Sequence, residues 1–103
     1  MNNDNIRVKY ETFHKTDYAN VVMANSDELI EFTFGMTPDD TLVFINEDDG
    51  EVETQYCGGM HDERTELFDL LSMRFGMNVD NFIRLEKALG EYDATFDYGS
   101  LGK

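Results

Sequence analysis

A chain of 103 residues with 41% apolar and 13% aromatic side chains can bury one modest core, and it is too short for a catalytic cleft between two lobes. The formal net charge is −14, from 22 acidic and 8 basic residues, which disfavours direct binding to nucleic-acid phosphates. The single cysteine excludes an intramolecular disulfide framework and suits a reducing compartment.

In chain order, Ile6, Val8, Tyr10 and Thr12 alternate with Arg7, Lys9 and Glu11, the period-2 pattern of a half-buried strand. Residues 15–17 read as a turn and residues 18–24 as a returning strand, broken at residues 25–28. Ile30, Phe32 and Phe34 alternate with Glu31 and Thr33 up to Gly35, which predicts a third strand; a short helix capped by Ser26 competes for this segment. Thr37, Pro38, Asp39 and Asp40 form a turn in which proline pre-sets the backbone. A fourth strand follows over residues 42–46. Asp49-Gly50 then predicts a two-residue type I′ loop before a fifth strand over residues 51–56.

After Gly58-Gly59 the period changes. Leu67, Leu70, Leu71 and Arg74 recur at helical spacing in residues 62–75, acids fill the first turn, and Gly76 supplies a stop. Asn78 caps a second helix with Val79, Phe82, Leu85, Leu89 and Tyr92 on one face and Gly90 as its end. The tail over residues 91–103, with Phe96, Tyr98 and Leu101, either docks as a last strand or stays loose. The expected class is therefore α+β: one domain, an antiparallel meander of about five strands, and a helical hairpin covering one sheet face. The start MNNDN lacks the basic and apolar parts of a signal peptide, and no window approaches the ~20 apolar residues of a membrane span. The expected setting is the cytoplasm of a bacterial cell.

The charge is unevenly placed. Residues 16–63 hold 13 acidic side chains and no lysine or arginine, whereas residues 1–15 sum to +1 and residues 64–103 to −2. One contiguous half of the chain thus carries nearly the whole charge, more than solubility alone demands. The densest part is FINEDDGEVETQY, with Glu47, Asp48, Asp49, Glu51 and Glu53 around Gly50. A two-residue loop at Asp49-Gly50 puts Asp48 opposite Glu51 and Asn46 opposite Glu53 on one side of the hairpin. Val43, Ile45, Val52 and Tyr56 then face the core. Carboxylates two apart on a strand are ~6.7 Å apart, close to the axial advance of two nucleotides at ~3.4 Å each, so such a row can imitate phosphates. Glu31, Asp39 and Asp40 extend the expected contact set.

Other chemistries fit less well. With Gly50 at the sixth position of a calcium loop, Ile45 would be the first ligand and Tyr56 the twelfth, so the EF-hand register fails. Cys57 and His61 are four apart near a helix start, where a thiolate is favoured; no third group or nucleophile signature accompanies them. Cys57, His61 and the distant His14 fall short of a structural zinc set. There is no phosphate-binding loop or dinucleotide fingerprint. No cofactor, metal or catalytic residue is expected.

The reading reached is a small non-enzymatic inhibitor that occupies the basic nucleic-acid-binding site of a host protein, such as a nuclease, CRISPR effector, restriction or repair enzyme. In size and charge it resembles phage-encoded anti-defence proteins, including anti-CRISPR and anti-restriction proteins. Three alternatives stay open: an immunity protein or antitoxin for a basic nuclease, a structural or assembly protein whose acids only keep it soluble, and an enzyme built on Cys57 and His61.

Overall fold

The computed structural model describes residues 6–58 and 63–92. The chain forms β1 (Arg7–Phe13), β2 (Thr16–Asn25), β3 (Glu28–Met36), β4 (Thr41–Asn46), β5 (Glu51–Tyr56), α1 (Glu63–Phe75) and α2 (Val79–Tyr92). The strands form one antiparallel meander in the order β1-β2-β3-β4-β5, and the helices cover one face. The α+β class expected from the sequence is the one observed, and β3 is a strand throughout. Of the tail expected over residues 91–103, residues 91 and 92 belong to α2, and the remainder, with its proposed last strand, lies outside the described residues.

Alternation decides which side of each strand is buried. Val8, Ala19, Val21, Met23, Ile30, Phe32, Phe34, Leu42 and Phe44 point to the helices and meet Leu67, Leu71, Phe82, Leu85 and Leu89. Phe32 is the hub, with ring centroids 6.2 Å from Phe34, 5.7 Å from Phe44 and 5.9 Å from Phe75. The Tyr10 hydroxyl donates to the Leu89 carbonyl at 3.2 Å, tying β1 to α2.

Several turns differ from their predicted form. The first hairpin turns at His14 and Lys15, whose φ values of 51° and 63° leave Thr16 free to start β2. The last hairpin has a four-residue loop, 47–50, instead of two residues at Asp49-Gly50. Only Gly50 there has positive φ, 78°, and its N–H donates to Asn46 O at 2.7 Å. Side-chain oxygens make the longer turn the better satisfied one: Asn46 Oδ1 accepts the Asp48 N–H and Asp49 Oδ1 the Glu51 N–H, both at 2.9 Å.

Gly76 ends α1 as predicted, at φ 66° with its N–H on Ser72 O at 2.9 Å. Asn78 caps α2 through Oδ1, which accepts the Asn81 N–H at 2.8 Å. The helix passes through Gly90, the predicted stop, to Tyr92. Asn25, buried at the end of β2, fixes the helical turn to the sheet: its Nδ2 donates to Phe75 O at 2.7 Å, and its Oδ1 accepts from Asn81 Nδ2 at 2.9 Å.

The face away from the helices is open. There Gly35 lies beneath the Tyr18 ring, and an added Cβ would sit 2.7 Å from Tyr18 Cδ1 and 2.6 Å from the Asp17 carbonyl oxygen. Backbone cannot retreat as a flexible side chain can, so Gly35→Ala should destabilise the chain by ~1–3 kcal/mol. Chemical denaturation of parent and variant measures this directly.

Candidate partner-binding site at the acidic end of the sheet

A meander sends successive hairpin turns to alternate ends of the sheet. The β2–β3 turn and the β4–β5 loop therefore share one end, while the β1–β2 and β3–β4 turns share the other. At the first end stand Asp27, Glu28, Glu31, Glu47, Asp48, Asp49, Glu51 and Glu53. Of these eight carboxylates Glu51 and Glu53 are ion-paired, both with Arg74. The two hairpin tips lie two strand spacings, ~10 Å, apart across the sheet, and the β2–β3 tip reaches further along the strands, because Glu31, three residues inside it, is level with Glu47.

Six of the eight expected contact residues are thus brought together: Glu31, Glu47, Asp48, Asp49, Glu51 and Glu53. Asp39 and Asp40 are not. They occupy the β3–β4 turn at the far end, ~23 Å of strand away from Glu47. The Thr37 hydroxyl donates to the Asp39 carboxylate and, with help from Thr41, holds its carboxyl below the usual range. Sequence reasoning missed Asp27 and Glu28, whose tip joins the site only because both hairpins turn at the same end.

The faces of the last hairpin are the reverse of those expected. The register pairs Asn46 with Glu51, Phe44 with Glu53 and Ile45 with Val52. Leu42, Phe44 and Asn46 are the buried set, so Glu51 and Glu53 share the helix side, whereas Val43, Ile45 and the 60%-exposed Val52 and Tyr56 lie on the open face. The cause is volume: Phe44 joins Phe32 and Phe34, and this aromatic cluster outweighs the smaller Val43 and Ile45.

Glu51 and Glu53 are also not free of cations. Arg74, in the last turn of α1, reaches across to place Nη1 3.1 Å from Glu51 Oε1 and to hydrogen-bond Glu53 Oε2 through Nε. The Glu53 hydrogen bond, and the nearby charges of Glu53, Glu51 and Asp49, raise the Arg74 pKa. Across the β4–β5 ladder Glu51 faces Asn46 and Glu53 faces Phe44, so the expected repulsion between Asp48, Glu51 and Glu53 is replaced by a clamp. Glu51→Gln with Glu53→Gln should therefore fail to stabilise the chain. Thermal melts should show a slightly lower Tm at low salt and no difference at high salt, where exposed pairs are screened.

What remains free is the pair of tips. Asp27, Glu28, Glu47, Asp48 and Asp49 make no ion pair among the described residues, and the loop carrying the last three is fixed by the Asn46 and Asp49 side-chain hydrogen bonds. Glu31 and Glu47 turn toward the open face, where Asn20 Nδ2 donates to Glu31 Oε2 at 3.2 Å and the Thr33 hydroxyl to Glu47 Oε2 at 2.6 Å. Among the described residues no three His, Cys, Asp or Glu side chains converge as a metal site.

Cys57 is buried, its thiol donating to the Gln55 carbonyl at 3.4 Å; His61 lies outside the described residues. No helix is long and apolar enough to cross a membrane among the described residues. Comparison with known proteins gives no matching family model, no matching curated protein and no matching solved structure.

Proposed function

We propose that the chain is a non-enzymatic inhibitor that sets its acidic end on the basic nucleic-acid-binding surface of a host protein. One observation carries this reading: five carboxylates, Asp27, Glu28, Glu47, Asp48 and Asp49, stand on two adjoining hairpin tips with no ion pair among the described residues. Unpaired like charges gathered on tips cost stability in the free protein. A basic partner offsets that cost, gains fast electrostatically steered association and leaves its nucleic acid no place to bind.

On this reading the acidic contact rests on tips and not on a row. A row along β5 would need Glu51 and Glu53 free, and Arg74 holds both. The contact is instead a pair of tips, and Asp39 and Asp40 drop out of it.

Capture of partners from a bacterial lysate at low and high salt, with nucleic acid as competitor, tests the reading. The expected result is a basic nucleic-acid-binding protein, retained at low salt and displaced by DNA or RNA. A partner with an acidic or apolar surface, or a complex indifferent to nucleic acid, overturns it. A toxin nuclease as the partner would recast the inhibitor as an immunity protein using the same surface.

A further inference from the structure

The open face of the sheet is nearly neutral within a chain of −14. Its ionisable residues are Arg7, Lys9, Glu11, Glu31 and Glu47, two cations against three anions. Four of the seven large apolar side chains that are more than half exposed among the described residues, Phe13, Leu29, Val52 and Tyr56, also stand on it. Between them Phe13, Tyr18, Asn20, Thr33 and Ile45 line a hollow of about 390 Å³. A surface that is close to neutral and carries four of the seven most exposed apolar groups among the described residues is suited to being covered.

The charges are also sorted. Arg7 and Lys9 stand on the edge strand β1, whereas Glu31 is on β3 and Glu47 follows β4. Glu31 and Glu47 are held in place by Asn20 and Thr33, and none of Arg7, Lys9, Glu31 and Glu47 makes an ion pair among the described residues.

We propose that two copies of this chain pair open face to open face about a twofold axis that runs along the strands between β2 and β3. Such a rotation sets β1 of one copy over β4 of the other and β2 over β3. Arg7, Val22 and Glu31 lie in one row across the sheet, continued by Glu47, whose N–H donates to Glu31 O at 3.1 Å. Arg7 of each copy therefore falls opposite Glu47 of the other. Lys9 falls opposite Ile45, two residues from the same carboxylate.

Sheets that pack face to face are ~10 Å apart, a gap that an arginine and a glutamate span together. Both cations lie on one side of the axis and two of the three anions on the other, with Glu11 beside the cations on β1, so the two sides carry opposite net charge, the self-complementary pattern an isologous interface needs. The overlapping strands β1 to β4 measure about 19 Å by about 20 Å from strand spacing and rise, with β5 and its Val52 and Tyr56 lying beyond the overlap, which places the pair among the smaller, weaker interfaces. The acidic tips project past its edge, and salt screens their mutual repulsion beyond ~8 Å. The pairing shares Glu47 with the proposed partner contact, but it rests on the open face alone and is read without any basic partner present.

Sedimentation velocity of the whole chain over a concentration series tests the proposal, with circular dichroism confirming that each variant is folded. The parent should move from monomer to dimer as concentration rises. Arg7→Glu and Glu47→Arg should each remain monomeric alone. Mixed in equal amounts they should form a dimer, because one copy then offers Glu at both positions and the other Arg at both. A parent that stays monomeric throughout, single variants that dimerise like the parent, or a mixture that stays monomeric would each overturn it.

Discussion

Phe32→Ala should destabilise the chain by ~3–5 kcal/mol, the usual cost of removing a fully buried phenylalanine. Phe32 has no exposed surface, and its ring packs against Phe34 and Phe44 of the sheet and Phe75 of α1. Its loss would open a cavity where sheet and helix meet, and relaxation is limited because the neighbouring rings are held by strand register. At ~4–8 °C per kcal/mol for a domain of this size, Tm should fall by more than ~12 °C. Since a small domain has only ~5–15 kcal/mol to lose, this is a large part of the total. Differential scanning calorimetry checks it, and a fall of only a few degrees would mean that the aromatic cluster is not the centre of the core.

The opposite pattern is expected at the acidic end. Neutralising the free tips together, with Asp27→Asn, Glu28→Gln, Glu47→Gln, Asp48→Asn and Asp49→Asn, removes charges that have no ion pair among the described residues. Tm should hold steady or rise as like-charge repulsion is relieved. Association with the basic partner should slow by ~10-fold or more, the scale on which electrostatic steering sets on-rates. Glu51 and Glu53 stay unchanged in this variant because Arg74 already engages them, so the fold of the hairpin is preserved.

Much of the fold was legible because the signals were local. Alternation at Val8 and Tyr10 marked β1, Gly76 marked the end of α1, and Asn78 marked the start of α2. Failures came where the answer lay in a distant residue. Apolar side chains stand on both sides of β4, Leu42 and Phe44 against Val43 and Ile45, and only the register with Phe32 and Phe34 decides which side is buried. Arg74 is more than twenty positions from Glu51 and Glu53 in sequence, so no local pattern could show that it clamps them.

The candidate site was partly visible for the same reason. The carboxylate run at residues 47–53 is local and was found. That Asp27 and Glu28 join it while Asp39 and Asp40 lie at the other end follows from the alternation of hairpin turns, which needs every strand placed first. His14 and Lys15 adopt left-handed backbone without a glycine to announce it, so local pattern places the first turn at residues 15–17 instead.

The central claim is that the acidic end is a contact surface for a basic partner, and the association rate constant measured against salt tests it most directly. Stopped-flow kinetics of the captured partner with the parent and with the five-site tip variant should show a parent rate that falls steeply as salt rises, and a variant rate that is low throughout and nearly flat. Equal rates with the same salt slope for both proteins would contradict the claim, since the tips would then contribute nothing to recognition.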